Sequence, residues 1–473
     1  MKNNFLILFC ILLFTACSED FINLAPISEQ SAANFYKTET DLDQAVAATY
    51  DALQDGAQYG GNGFDHFMEV RSDNTFNDNT TQNSGQRAQF DNFQLTANNT
   101  MLNATWTSCY KGIQRCNIVL NRIDDVDMAA EKRTIRIGEM KFIRALTYFN
   151  LVRIWGDVPL IINEIEDPFE GFSHTRTSVN EVYAQIITDL EEAIASLPAT
   201  VETSEIGRAT KGAAQTLLGK VYLTTQQYQQ AIEVLEQVIN SGTYELLPDF
   251  AEVFSVNNEN NIESIFEVQY KSGTNGEGNA TTDPTQGQDV NNKPSPNMVK
   301  LFQENPDDRF EASVELTSGA PYSKKRIDVR GSDGTFGFNT MVLRYADVLL
   351  MCAEALNEVS YQENGQAFDY LNLVRNRAQA SAYSATELPD QESFRTAIAK
   401  ERRLELAFEN HRWFDLVRTQ KAVAVMNAAN EGGLSTNAAS ALAFTMEAYQ
   451  VLYPIPQAQI DASAAKLTQN PEY

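Results

Sequence analysis

Between Lys211 and Gly242, small and large residues recur at fixed offsets. Leu218-Gly219 is followed by Tyr222, then by Tyr228, Ala231, Leu235 and Val238. Apolar residues at this spacing mark two short helices, with Gly219 letting the first pack closely and Ala231 letting the second approach it. Ala145, Tyr148, Leu190, Ala193 and Pro198 fit a second copy with a long insertion between its helices. Ala353, Ala367, Leu371 and Val374 fit a third, with a slightly longer turn. One match is weak evidence; three on one chain make a scaffold of stacked helix pairs the better explanation.

The offsets are those of a tetratricopeptide repeat, and helical periodicity extends around them. Asp41–Leu53, Met101–Arg122 and Arg133–Ile154 read as helices, and in the last Phe142, Ala145, Leu146, Phe149 and Val152 define one buried face. Trp155-Gly156-Asp157-Val158-Pro159 stops it. Ser178 with Glu181 forms a capping box for a helix running to about Leu197. Helix returns at Tyr345–Glu358, Gln366–Ala380 and Phe394–Thr419, and the tail from Tyr453-Pro454-Ile455-Pro456 begins extended. Two stretches break the pattern. Gln54–Thr100 loses periodicity but keeps Tyr59, Phe64, Phe67, Phe76, Phe90 and Phe93, which predicts an ordered, irregular surface region. Thr243–Thr340 is irregular again, with strand character at Ile262–Tyr270 and a Gly-, Asn- and Pro-rich loop at Gly273–Pro296 that reads as mobile or ordered by a partner. The predicted fold is all-α: a tetratricopeptide-like scaffold, mainly 41–53, 101–242 and 342–425. An irregular half of loops and short strands, mainly 54–100, 243–341 and 426–452, completes a single domain over 41–473.

The amino terminus reads as an export signal. Lys2 precedes an apolar run from Phe5 to Phe14, then Thr15-Ala16 leads to Cys17. Ten apolar residues span about 15 Å as a helix, half a bilayer core, so this is no membrane anchor. Residues 1–16 are therefore assigned as a signal peptide and 17–40 as a tether. A net charge of −27 opposes binding to nucleic acid or anionic lipid. Cys109 and Cys116 lie seven apart on one helix, about 10 Å and too far for a disulfide. With Cys352 they read as buried small hydrophobes.

No catalytic motif stands out. Lys400–Arg418 is the densest charged cluster, but its Leu, Ala and Phe residues give it an apolar face. Glu405 and Glu409 with Arg402, Arg412 and Arg418 read as helix-face ion pairs rather than acid/base machinery. His66, His174 and His411 lack partners at metal-ligand spacing, and no nucleophile elbow, zincin motif or phosphate loop is present. No cofactor or metal is expected.

Taken in order, these pieces resemble a family. They are Arg144-Ala145 through Tyr148-Phe149-Asn150-Leu151, Gly156-Asp157-Val158-Pro159-Leu160, and Arg344-Tyr345-Ala346-Asp347-Val348-Leu349-Leu350 with Ala353-Glu354-Ala355. Leu371-Asn372-Leu373-Val374-Arg375, the Glu401–Arg418 cluster, and Pro454-Ile455-Pro456 with Gln469-Asn470-Pro471-Glu472-Tyr473 complete the set. The chain resembles the SusD/RagB-type lipoproteins, surface partners of TonB-dependent outer-membrane transporters. The resemblance implies a protein that does no chemistry. It captures a nutrient, an oligosaccharide in most members and a peptide in some, and passes it to a SusC-like transporter, whose barrel the scaffold side would cap. It implies lipidation at Cys17, and the acidic Ser18-Glu19-Asp20 resembles an outward-facing surface-export signal. Two other classes stay open: a surface-anchored glycan hydrolase, for which no motif is offered, and a repeat scaffold that binds only proteins. Sugar sites need aromatic faces and planar polar groups. The candidates are Tyr59, Phe64, His66, Asp73 and Asn74 from the first irregular segment and Tyr270, Tyr322, Phe336 and Phe338 from the second, though Arg71 and Asp73 could form an internal ion pair. Trp106, Trp155 and Trp413 all fall in scaffold contexts, leaving no tryptophan for a stacking platform.

Overall fold

The computed structural model describes residues 35–77, 82–167, 169–273, 276–281, 292–316, 321–431 and 445–473. The signal segment, Cys17 and most of the tether lie outside the described residues, as does half of the Gly273–Pro296 loop. The helices are α1 (Glu39–Asp51), α2 (Thr100–Arg122), α3 (Ala130–Trp155), α4 (Val179–Ser196), α5 (Lys211–Thr224), α6 (Tyr228–Asn240), α7 (Pro296–Glu304), α8 (Asp308–Ser313), α9 (Tyr345–Val359), α10 (Gln366–Arg377), α11 (Gln391–Glu405), α12 (Arg412–Arg418) and α13 (Ala422–Glu431).

The scaffold is a row of antiparallel helices, each packed on the next. It runs α1, α2, α3, α4, α5, α6, then α9, α10 and α11, so the chain leaves the row after α6 and re-enters at α9. The three predicted pairs are α3/α4, α5/α6 and α9/α10. Gly219 is required where α5 meets α6, since a Cβ there would collide with the Leu235 side chain. Local chemistry sets the ends. Ser178 Oγ accepts from Glu181 N and the Glu181 carboxylate answers the Ser178 amide, which starts α4. Gly156 at φ 73° ends α3. Trp106, Trp155 and Trp413 are all buried, and Trp155 meets Trp106 edge-on at 5.1 Å and Phe67 at 5.8 Å. The closing motif clamps this corner: Asn470 Nδ2 donates to the carbonyls of Trp155 (3.0 Å) and Tyr453 (2.7 Å).

The irregular half is strung on three two-stranded antiparallel pairs. β2 (Ser264–Val268) pairs with β6 (Thr340–Arg344), β1 (Thr75–Phe76) with β3 (Lys293–Pro294), and β4 (Val314–Glu315) with β5 (Tyr322–Ser323). Residues 63–77 are not surface, as their aperiodic sequence predicts, but core. Phe64, His66, Phe67, Glu69, Arg71 and Asn74 are all buried between α3, the carboxyl-terminal tail and the turn after α11. Arg71 sits over the rings of Phe93 (4.4 Å) and Tyr453 (4.5 Å) and donates to the carbonyls of Phe90 and Gln450. It does not pair with Asp73.

A single helix over Phe394–Thr419 is also not formed. α11 stops at Glu405, Phe408 and Asn410 turn left-handed at φ 67° and 66°, and α12 starts at Arg412. The reason is tertiary. Breaking the helix frees the amides of Phe408 and Asn410, and the buried Glu69 carboxylate accepts both, at 3.1 and 2.9 Å. A buried backbone amide without a partner costs on the order of 1–3 kcal/mol, so Glu69 makes the turn tenable.

Candidate functional site

The nine sequence candidates separate by depth. Tyr59, Phe64, His66, Asp73, Asn74, Tyr270, Phe336 and Phe338 are all buried. Tyr59 accepts from Asn150 Nδ2 at 2.8 Å and meets Phe64 edge-on at 4.8 Å. His66 binds the Asn62 carbonyl through Nδ1, and burial pushes its pKa down to about 4, keeping it neutral. Asp73 pairs with Arg412 (2.8 Å) and Arg403 (3.0 Å). Burial would raise its pKa, but the two guanidiniums outweigh that and hold it at about 2. Asn74 donates to Glu69 at 3.0 Å and accepts from Arg403 Nε at 2.9 Å. Phe336 and Phe338 stack on each other at 5.7 Å, with Arg330 over the outer ring. In this structure these side chains pin the irregular segments to the scaffold. Tyr322 alone of the nine is partly exposed.

Of the nine, Phe338 alone lines the cleft that opens between residues 253–267, Lys325-Arg326 and the turn after α11. The cleft is shallow, with about 40 Å³ of room for water-sized groups. Phe254 and Phe338 provide aromatic walls, and Glu259, Arg326, Asn339 and Asn410 line the polar side. Arg326 is held by Asp65 at 2.9 Å and donates to the Phe408 carbonyl at 3.3 Å. Asn339 is fixed by the Glu267 carboxylate, which accepts from its Nδ2 at 2.9 Å, and its amide donates to Glu259 at 2.5 Å. Burial pushes the Glu259 pKa up to about 7, opposed by the Asn339 amide and reinforced by Glu267 and Asp328. It therefore has both donor and acceptor forms at neutral pH. Tyr322 is not among the residues lining this cleft; it lies on β5, which pairs with β4 and packs next to β3.

Behind the cleft stands a buried ion-pair cluster. Glu405 meets Arg344 (2.7 Å), Arg309 (3.3 Å) and Arg377, while Glu409 meets Arg344 (2.6 Å) and Lys325 (2.7 Å). Glu401 takes Arg309 (2.6 Å) and Arg375 (2.5 Å), and Glu263 takes Arg344 (2.8 Å) and Arg377 (2.7 Å). The structural reading of the 400–418 run holds, but its partners differ from the predicted ones. Glu405 and Glu409 pair with residues of other elements. Arg402 goes to Asp347 and Asp415, Arg412 to Asp73 and Arg418 to Glu354. Lys220, Asp347 and His411 form a buried trio that resembles acid/base machinery. Burial, with Lys220 alongside, drives the His411 pKa to about 3, so the ring is a neutral acceptor for Lys220 at 3.0 Å. Among the described residues no cluster of His, Cys, Asp and Glu could hold a metal ion.

Sequence reasoning missed Phe254, Glu259, Arg326 and Asn339. A signal existed in Lys324-Lys325-Arg326, a basic triplet in a chain with 63 acidic residues.

A family model described as "SusD family" matches residues 312–473, and one described as "Starch-binding associating with outer membrane" matches residues 20–223. A SusD-like protein of Formosa agariphila is 30% identical over 461 residues, covering 87% of this chain and 90% of its own length. A second from that organism is 29% identical, covering 88% and 90%. A solved laminarin-binding SusD-like protein superposes with a TM-score of 0.76 at 31% identity, covering 93% of this chain and all of its own. A SusD homologue from Bacteroides thetaiotaomicron shares the fold, with a TM-score of 0.80 at 24% identity.

Proposed function

The chain belongs to the SusD family, and on that premise we propose that it is a lipid-anchored surface protein that captures an oligosaccharide and hands it to a TonB-dependent outer-membrane transporter. The observation that carries the ligand class is the cleft. An aromatic wall faces a row of planar hydrogen-bonding groups, the combination that reads the apolar face of a sugar ring and its hydroxyls together. Phe254 takes a ring face. Asn339 and Asn410 take hydroxyls, and Glu259 serves as donor or acceptor. The 31% identical relative named for laminarin binding supports a glycan over a peptide.

No bond is made or broken in this reading. Asn339 and Arg326 are held by Glu267 and Asp65 before a ligand arrives, so little ordering entropy is lost on capture. Transfer then requires only that the ligand leave the cleft faster than the transporter closes. Cys17, outside the described residues, is the proposed lipidation site, and residues 18–40 are the tether that keeps the protein beside its partner. The acidic Ser18-Glu19-Asp20 is the proposed outward-facing signal.

The test is titration calorimetry of residues 18–473 against a panel of oligosaccharides, laminari-oligosaccharides included, and peptides. Glycan binding that weakens at least tenfold in a Phe254→Ala variant is the expected outcome. Binding of peptides alone would move the ligand class to peptide. Turnover of a glycan, abolished by Glu259→Gln, would make the protein a hydrolase. Binding of no ligand, with a barrel partner retained, would make it a protein scaffold. Acylation at Cys17 is read from the mass of the amino-terminal peptide and is lost in Cys17→Ala.

A further inference from the structure

The insertion between α3 and α4 exposes large apolar side chains that the scaffold does not need. Phe169 is 81% exposed, Phe172 46% and Ile162 38%. Phe169 caps a 3₁₀ turn over Glu170–Ser173, and the Phe172 amide donates to the Phe169 carbonyl at 3.3 Å. Residues three apart eclipse in such a turn, so the two rings point to the same side. Two phenylalanines on one side of a turn make contiguous apolar surface, and contiguous apolar surface rimmed by polar residues is what marks an interaction site.

The base of the insertion is rigid. Asn117 Nδ2 on α2 donates to the carbonyls of Ile161 (3.0 Å) and Asn163 (2.9 Å). Gln114 exchanges hydrogen bonds with both backbone groups of Ile165, at 2.8 and 3.1 Å. Arg144 Nη1 donates to the Ile162 carbonyl at 2.9 Å. The tip is thus presented by a fixed platform, which lowers the entropy lost on docking.

Two further observations say what docks there. Glu166, Asp167 and Glu170 are exposed around the phenylalanines and form no ion pair among the described residues. That rim repels an anionic lipid surface and matches a basic one. The chain also enters the fold here. Arg122 stacks on the Tyr36 ring at 4.9 Å and pairs with Glu164 of the insertion. The segment from Cys17 to Phe35 therefore joins the molecule beside the patch. At about 3.4 Å per residue it reaches about 60 Å at full stretch.

We infer that Phe169 and Phe172 form a docking knob for a membrane-embedded protein partner that offers an apolar socket with a lysine- or arginine-rich rim. Identifying that partner with the transporter rests on the proposed function. The knob lies on the insertion of a scaffold pair and uses none of the cleft residues, so docking and ligand capture are separable.

The experiment uses the full-length, lipidated protein, affinity-tagged and recovered from detergent-solubilised outer membranes of its own host. Wild type is compared with Phe169→Ser/Phe172→Ser and with Glu166→Lys/Asp167→Lys/Glu170→Lys. The expected result is at least a tenfold loss of the co-purified β-barrel transporter in both variants. Melting temperature and calorimetric glycan affinity stay unchanged, and wild-type recovery falls as NaCl rises from about 50 to about 500 mM. Equal recovery with wild type and both variants overturns the knob and leaves the proposed function standing. Absence of any barrel with wild type overturns both. Sedimentation with vesicles of outer-membrane lipid that is lost in Phe169→Ser/Phe172→Ser assigns the patch to lipid and also overturns the inference.

Discussion

Replacing Glu405 by Gln removes one charge from the centre of the ion-pair cluster and changes almost nothing in shape. Around it, five cations (Arg309, Lys325, Arg344, Arg375 and Arg377) face five carboxylates (Glu263, Asp307, Glu401, Glu405 and Glu409), every one buried or nearly so. Glu405→Gln leaves one buried guanidinium charge unbalanced, and breaking a buried pair in this way costs about 3–5 kcal/mol. A second route gives a similar figure. Burial alone would raise the Glu405 pKa, but Arg377, Arg344 and Arg309 hold it at about 2 against an ordinary 4.5. A shift of that size corresponds to about 3 kcal/mol. The contribution is present above pH 4.5 and is lost as pH falls through 2, because a depressed carboxylate must be protonated on unfolding. Unfolding entropy scales to about 1 kcal/mol per degree for a chain this long, so Glu405→Gln should melt about 3–5 °C lower at pH 7. Thermal melts by circular dichroism from pH 7 to pH 3 give the comparison. The gap between wild type and variant should narrow on acidification. Glu392→Gln, at the exposed Arg395 pair, should show no measurable change. A gap under about 1 °C at pH 7, or one that does not narrow in acid, would refute the account of a balanced cluster.

Other positions make sharper local tests. Gly219→Val places methyl groups against Leu235 at the α5–α6 crossing and should cost about 1–3 kcal/mol by overpacking, read as a lower melting temperature. Burial raises the Glu69 pKa to about 7, against the pull of Asn74 and the Phe408 and Asn410 amides. The folded state thus binds this proton more tightly than the unfolded chain, and Glu69 alone makes stability fall as pH rises from 4.5 to 7. In Glu69→Gln the plot of melting temperature against pH should turn more positive over that window, and parallel plots would contradict the assignment. Cys109, Cys116 and Cys352 are buried, with burial pushing the Cys116 and Cys352 thiols up to about 12. None should react with a thiol reagent at pH 8 until the protein is unfolded, as absorbance of the released chromophore would show.

The scaffold was legible in the sequence because helix pairing is local. Gly219 and Ala231 announce a close crossing, Ser178 and Glu181 a start, and Trp155-Gly156 a stop, each within a few residues of where it acts. The fate of the three tryptophans was legible too, since each falls on an apolar helical face. The candidate site was not. A phenylalanine or tyrosine in an aperiodic stretch reads the same whether it stacks on a ligand or anchors its own loop, and here eight of nine candidates are buried. What separates them is depth, which depends on partners such as Arg403, Arg412 and Phe408, more than three hundred residues from the first candidate segment.

The helix pairs, their caps and breaks, and the division into a scaffold and an irregular half are local properties, readable along the chain before it folds. Those follow from spacing, and spacing survives without a third dimension. The break of α11 at Glu405 depends on long-range contact, because the capping carboxylate, Glu69, comes from the far end of the chain. The same holds for the arginines around Glu405 and for the cleft beside Phe254 and Phe338, whose walls are gathered from residues 253 to 410. Ion pairs and clefts are built across distance in sequence, where periodicity carries no information.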